Sequence, residues 1–409
     1  MSDWETTTLG EFTTLQRGHD LHKQDRREGD VPILGSFGIT GWHDEAKVKG
    51  PGVTVGRSGA SYGVVSYSAC DFWPLNTALF VKDFHGNDEQ FAYYFLQSID
   101  FKRFNSGSAV QSLNRNHVHP MEIRIPPLHE QRAIASILGA LDDKIELNRR
   151  MNRALESLAR AIFKSWFVDF DPVHINSGKG NAGQMPASSQ ALATHDPKVL
   201  DLFPSTFQDS ELGPIPEGWK EGTLGDVVEI FDSKRVPLSK KQRQERQGIY
   251  PYYGAASVMD HVDDFLFEGI HVLMGEDGSV VNDDGTPVLQ YVWGQFWVNN
   301  HAHVLKGKNG ISDEHLLVHL KQAVVKPFVT GAVQPKINQG NLKRIPFLLP
   351  SPEIAYAFSN VLSPLFAQIR ANTEESTSLA KNRDTLLPQL LSGDLPVPAA
   401  MTRAEEALA

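Results

Sequence analysis

Residues 128–167 read LHEQRAIASILGALDDKIELNRRMNRALESLARAIFKSWF, and this stretch decides the fold. A seam residue, apolar at all positions except Asn148, returns every seven residues, and such a repeat predicts a long coiled-coil helix. Pro126-Pro127 precedes the repeat, so the helix is predicted to run from about His129 to Phe167. A helix of about 38 residues is about 57 Å long. The seam positions are Ile134, Leu141, Asn148, Leu155 and Ile162.

The same pattern returns 224 residues later and predicts a second helix from about Pro352 to Leu391, which ends at Ser392-Gly393. Several other seam positions are polar, including Lys144 and Gln368. A long homotypic zipper would not tolerate them, so we expect the two helices to pair within one chain. Asn148 and Asn372 match, and a buried seam Asn fixes the register of a coiled coil. The alternative is that both are solvated residues at a frayed seam. The second seam consists of Phe358, Leu365, Asn372, Leu379 and Leu386.

The repeat extends over nearly the whole chain. Trp4 and Thr8-Leu9-Gly10 match Trp219 and Thr223-Leu224-Gly225, an offset of 215 that grows to 224 by the helices. A period this long indicates two copies of one complete domain. Other matched segments are 32–35 with 251–254, 55–59 with 274–278, 73–76 with 297–300, and Ala109-Val110-Gln111 with Ala332-Val333-Gln334.

Segments rich in Gly and β-branched residues precede each helix and predict short strands, for example 52–56, 63–67 and 269–273. We therefore predict an α+β (mixed α/β) fold with two similar globular domains and short helices such as Glu89–Ile99. The predicted organisation is a first domain (1–127), a first long helix (128–172), a linker and entry strap (173–216), a second domain (217–350), a second long helix (351–393) and a C-terminal tail (394–409).

Composition limits the compartment and the partners. The chain has 409 residues, one cysteine (Cys70), and no apolar run near the roughly 20 residues that cross a bilayer. These features, and a polar N-terminus unlike a signal peptide, predict a cytoplasmic protein without disulfides. The formal net charge of -10 argues against a stand-alone, tight DNA binder. It does not exclude DNA binding, because DNA senses only the face that it touches.

Catalytic motifs are missing from the sequence. It has no Walker-type loop, no Rossmann glycine fingerprint and no nucleophile elbow. His117 with His119, and His301 with His303, could share strand faces, but further metal ligands are not identifiable. The segments Glu45-Ala46-Lys47 and Asp169–Val173 are only partly similar to a nuclease and a methyltransferase motif. We therefore expect binding without catalysis, and no metal or cofactor on this chain.

Several stretches resemble the specificity subunits of type I restriction-modification systems. They are Ile125–Ile134, Leu141–Asn148, Leu158–Phe170, Ser210–Trp219 and Leu386–Gly393. The second helix entry, 350–354, lacks the Glu-Gln pair found at 130–131. This difference puts the local packing of that helix entry in doubt, but not the resemblance.

The resemblance implies that each globular domain is a target recognition domain for one half of a split site in double-stranded DNA. It implies two antiparallel long helices that separate the domains with pseudo-two-fold symmetry. Two modification subunits carrying S-adenosylmethionine would dock on this chain and methylate adenine, and restriction subunits would join and use ATP with Mg. Half-sites about one helical turn apart, 34–36 Å, suit a spacer of this size.

Candidate DNA-reading residues are polar side chains in Gly-rich loops, because Arg, Lys, Asn, Gln and Ser read base edges. The alternative is that these loops are simply turns. Trp73 and Trp297 are expected in the core. The candidates are Arg57, Ser58, Ser61, Tyr62, Lys102, Arg103, Asn105, Gln111, Asn114, Arg115, Asn116, Ser279, Gln334, Lys336, Asn338 and Gln339, with the acidic Glu276 and Asp277 as acceptors for cytosine amino groups.

Three other functions compete with this one. The chain could be an orphan specificity subunit or a binding module of another restriction class, which the sequence does not separate. It could be a coiled-coil scaffold that never touches DNA, which the acidic charge favours and the matched polar loops oppose. A free-standing methyltransferase or nuclease would need the cofactor or metal motifs that are missing.

Overall fold

The computed structural model describes residues 4–105, 111–178, 197–211, 213–331 and 333–408. The chain forms two compact units, Met1–Arg149 with Asn372–Ala409, and Arg150–Ala371. The boundary falls within both long helices, so each unit contains part of each helix. Of the predicted features, residues 179–196 of the linker, and Ala109, Val110 and Ala332 of the matched segments, lie outside the described residues.

The first unit is built from short strands and a few helices. Its strands are β1 (Glu5–Thr8), β2 (Thr14–Arg17), β3 (Val31–Gly35), β4 (Gly38–His43), β5 (Gly52–Gly56), β6 (Val65–Ser68), β7 (Trp73–Pro74), β8 (Ala78–Asp83) and β9 (Glu122–Ile125). Its short helices are α1 (Leu9–Phe12), α2 (Glu89–Gln97) and α3 (Arg115–Val118), with 3-10 turns at Lys23–Asp25 and Phe101–Phe104.

A four-stranded antiparallel sheet of order β2-β8-β5-β6 forms the centre of this unit. Its middle strand β5 is buried along its whole length, as β-branched Val53 and Val55 favour. A second sheet has the order β4-β3-β7, with β3 and β7 parallel, and β1 pairs with β9. Helix α2 is capped by Asp88, whose side chain accepts from the Phe91 amide at 2.8 Å.

The second unit repeats this plan. Its strands are β10 (Phe207–Gln208), β11 (Ile215–Pro216), β12 (Lys220–Thr223), β13 (Val228–Ile230), β14 (Gln247–Tyr253), β15 (Val258–Val262), β16 (Phe267–Glu268), β17 (His271–Gly275), β18 (Leu289–Val292), β19 (Gln295–Val298), β20 (Ala302–Gly307) and β21 (Pro346–Leu349). Its short helices are α5 (Asp171–Asn176), α6 (Leu224–Val227), α7 (Lys240–Glu245), α8 (Asp313–Leu320) and α9 (Gln339–Lys343), with 3-10 turns at Pro197–Leu202, Asp232–Lys234 and Lys326–Phe328.

The sheet orders of the two units correspond, except that the second unit adds the edge strand β16 beside β19. The order β13-β20-β17-β18 repeats β2-β8-β5-β6, and β15-β14-β19 repeats β4-β3-β7, again with one parallel pair. Ile33 pairs with Trp73 as Tyr252 pairs with Trp297, and both tryptophans are buried. The predicted mixed α/β fold and internal repeat are confirmed. Within the described residues, no helix has the length and apolar character that a membrane span requires.

The long helices are α4 (Leu128–Phe167) and α10 (Pro352–Ser392), and a C-terminal helix, α11 (Val397–Leu408), follows them. In the first unit, α4 and α10 run antiparallel: Arg383 lies 2.5 Å from Asp142, and the Asn148 amide donates to Glu375 at 2.6 Å. Asn148 is only 1% exposed and Asn372 only 3%, so neither is a solvated residue at a frayed seam. Instead, the hydrogen bond from the Asn148 amide to Glu375 of the other helix fixes the register of the helix pair.

The same helices also run antiparallel in the second unit. Asn152 donates to the Ile369 carbonyl at 3.3 Å, and the rings of Phe163 and Phe358 lie 6.0 Å apart. Of the predicted seam residues of both helices, Leu155 and Leu365 are half-buried. The buried ones are Ile134, Leu141, Asn148, Ile162, Phe358, Asn372, Leu379 and Leu386.

Candidate DNA interface

Two predicted DNA-reading segments of the first unit lie side by side. One begins at Arg57, directly after β5, and the other precedes α3. The Leu113 amide donates to the Arg57 carbonyl at 2.8 Å, and the Gly59 amide donates to the Gln111 carbonyl at 3.2 Å. Clusters more than 50 residues apart in sequence therefore form one surface.

The predicted residues on these segments differ in their freedom to contact a ligand. The Tyr62 hydroxyl donates to the Phe101 carbonyl at 2.5 Å, and burial raises the pKa of this nearly inaccessible side chain. Tyr62 therefore packs in the core and does not face solvent. The Asn114 side chain caps α3 by accepting from the Asn116 amide at 3.0 Å. The remaining candidates of this unit are exposed or half-buried: Arg57, Ser58, Ser61, Lys102, Arg103, Asn105, Gln111, Arg115 and Asn116.

Three arginines line an open cleft of about 600 Å³ in the first unit. They are Arg17 at the end of β2, Arg57 after β5 and Arg115 at the start of α3. Nη1 of Arg57 donates to the Asn76 carbonyl at 3.1 Å, and Nη1 of Arg115 donates to the Leu15 carbonyl at 3.2 Å. We call this site the arginine cleft. Its other lining residues are Gln16, Leu79, Ser112, Leu113 and Asn114.

His119 supports one side of the arginine cleft. Its Nε2 accepts from the Leu15 amide at 3.0 Å, so this nitrogen carries no proton. Burial and the nearby Arg115 guanidinium lower the pKa of His119, which keeps the ring neutral at pH 7. The bond between Leu15 and His119 therefore joins β2, which ends at Arg17, to the segment of α3, which begins at Arg115.

The second unit pairs its corresponding segments in the same way. The Ile337 amide donates to the Glu276 carbonyl at 2.9 Å, and the Gly278 amide donates to the Pro335 carbonyl at 3.1 Å. Asp277 and Lys336 are bridge partners, as Ser58 and Ser112 are in the first unit. The same backbone bonds therefore join loops whose side chains differ.

This pairing corrects one of the matches made from sequence. From sequence, Gln111 was matched with Gln334, an offset of 223. The backbone bonds show instead that Gln111 corresponds to Pro335, because each accepts the equivalent bond, from Gly59 in one unit and from Gly278 in the other. The caps agree with the corrected offset of 224, since Asn114 and Asn338 both cap a short helix. The corrected correspondences are Arg17 with Asp232, Arg57 with Glu276, Leu79 with His303, Ser112 with Lys336 and Arg115 with Gln339.

An ion-pair network fills the second unit at the position that corresponds to the arginine cleft. Nη1 of Arg235 lies 2.7 Å from Glu276, and Nη2 lies 3.4 Å from Asp232. Nζ of Lys336 lies 3.1 Å from the other Glu276 oxygen, and the Gln339 amide donates to Asp232 at 2.7 Å. The cations of this network are therefore matched by carboxylates of the same unit.

His303 is the buried member of this network. Its Nδ1 lies 2.6 Å from Asp232 and its Nε2 lies 2.7 Å from the Ile337 carbonyl. Each ring nitrogen of His303 therefore faces a hydrogen-bond acceptor. Burial alone would raise the pKa of Asp232, but the His303 hydrogen bond and charge hold it below its ordinary value.

Asp232, Glu276 and His303 also lie close enough together to hold a metal ion. The Arg235 guanidinium, however, contacts both carboxylates, and both nitrogens of His303 have partners. A guanidinium already supplies the positive charge that a metal would bring. The network therefore reads as a structural cluster, and we do not assign it a metal.

The other predicted residues of the second unit lie around this network. Ser279 and Gln334 are exposed, and Asn338 accepts from the Asn341 amide at 2.9 Å. Sequence reasoning missed Arg17, Asp232 and Arg235. The repeat offers the signal that would have found two of them, because Arg17 and Asp232 are separated by the same 215 residues as Trp4 and Trp219.

A family model described as the type I restriction modification DNA specificity domain matches residues 1–157 and 216–381. The chain belongs to this family. The matched segments correspond to the two copies of the repeat, so this DNA specificity protein carries the family domain twice.

Individual relatives agree with this assignment. The chain is 26% identical over 330 residues to the type I restriction enzyme HindI specificity subunit of Haemophilus influenzae, covering 68% of this chain and 70% of that protein. It is 32% identical over 320 residues to the putative MjaX specificity subunit of Methanocaldococcus jannaschii, covering 74% of this chain and 66% of the relative.

The fold is shared with a solved structure. The type I restriction-modification system S subunit from M. genitalium aligns with a TM-score of 0.57 at 19% identity, over 95% of this chain and 96% of that one. The predicted resemblance to type I specificity subunits is confirmed.

Proposed function

We propose that this protein is the subunit that gives a type I restriction-modification complex its DNA sequence specificity. Each copy of the repeat binds one half of a split target in double-stranded DNA. Two modification subunits dock on the chain, and restriction subunits join them. S-adenosylmethionine belongs to the modification subunits, and ATP with Mg to the restriction subunits, while this chain turns over no substrate. We expect the complex to act on host DNA in the cytoplasm.

The repeated loop pairing is the observation that carries this proposal. Backbone bonds join Leu113 to Arg57 and Ile337 to Glu276 in the same geometry. The side chains that these loops present differ between the copies: Arg57 corresponds to Glu276, and Ser112 corresponds to Lys336. A common scaffold that presents different side chains is what two half-sites of different sequence require, because base edges are distinguished by donor and acceptor patterns.

The length of the helices supports a split target. A helix of 40 residues, such as α4, is about 60 Å long. Half-sites on one face of DNA are separated by about 34–36 Å per helical turn. Helices of this length suit recognition domains that straddle bases which neither domain contacts.

The scaffold and orphan alternatives make different predictions. A scaffold that never reads DNA has no need for matched polar loops on two domains. An orphan subunit of another restriction class reads DNA but retains no restriction subunit. Both alternatives can be tested together with the main proposal.

The deciding experiment combines co-purification with methylation mapping. The chain is tagged and purified from its host, and methylated adenines are mapped in host DNA with and without its gene. We expect retained modification subunits and methylation at one split motif that disappears with the gene. Unchanged methylation without a retained partner would reject the proposal in favour of the scaffold. Lost methylation without a restriction subunit would indicate the orphan.

A further inference from the structure

We infer that the arginine cleft of the first unit binds a phosphate of the DNA backbone, and that the corresponding position of the second unit does not. The first unit then supplies the larger salt-dependent part of DNA binding. This inference rests on the proposed function and adds to it an anchoring site and an inequality between the two copies.

The cationic groups of the cleft are held ready for a ligand. One guanidinium nitrogen of Arg57 donates to the Asn76 carbonyl, and one of Arg115 donates to the Leu15 carbonyl. A guanidinium has five N–H donors, so each keeps further donors for an anion. Because these bonds already orient the side chains, less rotational freedom is lost when a phosphate binds.

The charge of the cleft is not cancelled from within. Among the described residues, no carboxylate lies within ion-pair distance of Arg57 or Arg115. Arg17 approaches Asp20 at 3.9 Å, but the two side chains are 58% and 68% exposed. Such an exposed pair is weak and screened by salt. A net positive site therefore remains on a protein whose overall charge is -10.

The shape of the site favours a phosphate over a base edge. Base edges lie at the floor of a groove about 8.5 Å deep, so a protein reads them with side chains that project outward. The arginines instead line a recess, and a recess accepts a group that protrudes from the DNA. Backbone phosphates protrude. The lining contains no aromatic ring on which a base could stack.

The second unit cannot bind a phosphate in the same manner. Asp232 and Glu276 replace Arg17 and Arg57, and they bind Arg235, Lys336 and His303. A phosphate at this position would meet two carboxylates whose cations are already engaged. The two units therefore share the same backbone arrangement at this position but differ in the charge of the side chains there.

The test is the salt dependence of DNA binding by the full-length chain with its modification subunits. Fluorescence anisotropy is recorded with two duplexes of about three helical turns. One duplex carries the methylated motif and the other a scrambled sequence. Wild type, Arg57→Gln/Arg115→Gln and the charge-keeping Arg57→Lys/Arg115→Lys variant are compared between about 0.05 and 0.5 M salt.

The slope of log affinity against log salt should become shallower by about 0.9 in the Gln variant for each phosphate lost. This corresponds to about eightfold weaker binding at 0.1 M salt, equally for both duplexes, with the curves converging towards 1 M. The Lys variant should keep most of the slope. Lys336→Gln, the matched control in the second unit, should change the slope by less than half as much.

Two results would overturn the inference. If the Gln variant loses affinity only for the motif and keeps its slope, the arginines read bases. If neither duplex is affected, the cleft does not touch DNA. Wild type that binds neither duplex would instead reject the proposed function itself, so the two failures are distinguishable.

Discussion

His315 is expected to destabilise the second unit, and phenylalanine in its place is expected to stabilise it. The side chain is fully buried on α8, and within the described residues neither ring nitrogen has a hydrogen-bond partner. The rings of Phe167, Phe347 and Phe358 lie 4.9, 5.6 and 4.7 Å from it. A buried polar group without a partner costs about 1–3 kcal/mol. Phe91 holds the corresponding position of the first unit: its amide donates to the N-cap side chain three residues earlier, as the amide of His315 does.

A phenyl ring should also fit. His315 lines a cavity of about 170 Å³, so the extra volume has room without forcing its neighbours apart. We therefore expect His315→Phe to raise the free energy of unfolding by about 1–2 kcal/mol at neutral pH. His319 is the matched control, because its ring donates to the Pro346 carbonyl at 3.1 Å and His319→Phe loses that bond.

The pH dependence gives a sharper test of the same residue. Burial lowers the pKa of His315 to about 3 from about 6.5 in the unfolded chain. The folded state therefore binds fewer protons than the unfolded chain, so the pKa difference does not affect the free energy of unfolding above pH 6.5 and lowers it as pH falls from 6.5 towards 3. At pH 5 the loss from this one residue is about 2 kcal/mol, and His315→Phe removes it. The benefit of the substitution should thus grow between pH 7.5 and pH 5.

Urea unfolding at both pH values, followed by tryptophan fluorescence, measures this difference. Hydrogen exchange of the peptide that covers α8 assigns the change to the second unit. His271 and His319 also have pKa values lowered by burial, so a residual pH slope should persist in both proteins. The reasoning is refuted if His315→Phe is less stable than wild type at pH 7.5, or if its advantage is the same at both pH values.

Three further predictions concern the ion pairs and the helices. Glu276→Gln should lower the free energy of unfolding by about 1–3 kcal/mol in thermal denaturation, because Arg235 is only 11% exposed and loses the closer of its two carboxylate partners, whereas Lys336→Gln should cost less than about 1 kcal/mol. A double-mutant cycle on Asp142 and Arg383 should give a coupling of about 1 kcal/mol in urea unfolding, and a coupling of zero would contradict the register of the helix pair. Four residues inserted into both long helices should lengthen the gap of the methylated motif and leave its half-site bases unchanged, as methylome sequencing would show.

The long helices were predictable because their signal is periodic and local. The heptads, with Pro126-Pro127 and Ser392-Gly393 as boundaries, predicted helices from about His129 to Phe167 and from about Pro352 to Leu391. The observed helices run over Leu128–Phe167 and Pro352–Ser392. The fold class and the repeat were predictable for a related reason, since matched residues such as Trp73 and Trp297 are core residues in corresponding strands. Side chains that must fill the same space leave a recognisable trace in both copies.

The chemistry of the loops was less predictable. Tyr62 stands among polar residues in a Gly-rich loop, yet its ring enters the core and its hydroxyl binds a backbone carbonyl. Gln334 was matched with Gln111 by residue identity, whereas the backbone bonds select Pro335. The ion-pair network around Asp232 joins residues from four separate segments, so no local sequence pattern predicts it. Burial and long-range pairing decide such positions, and both depend on the completed fold.

In both units, backbone hydrogen bonds hold the candidate recognition loops, while the side chains of these loops set the local charge. The loops that carry Arg57 and Glu276 are held by amide-to-carbonyl bonds, which do not depend on the side chains of the residues that form them. Substitution at these positions therefore leaves the loop pairing intact while reversing the local charge. The residues that line the arginine cleft include no carboxylate, whereas at the corresponding position of the second unit Asp232 and Glu276 are paired with cations. A chain with this organisation can change what one half contacts without refolding the other.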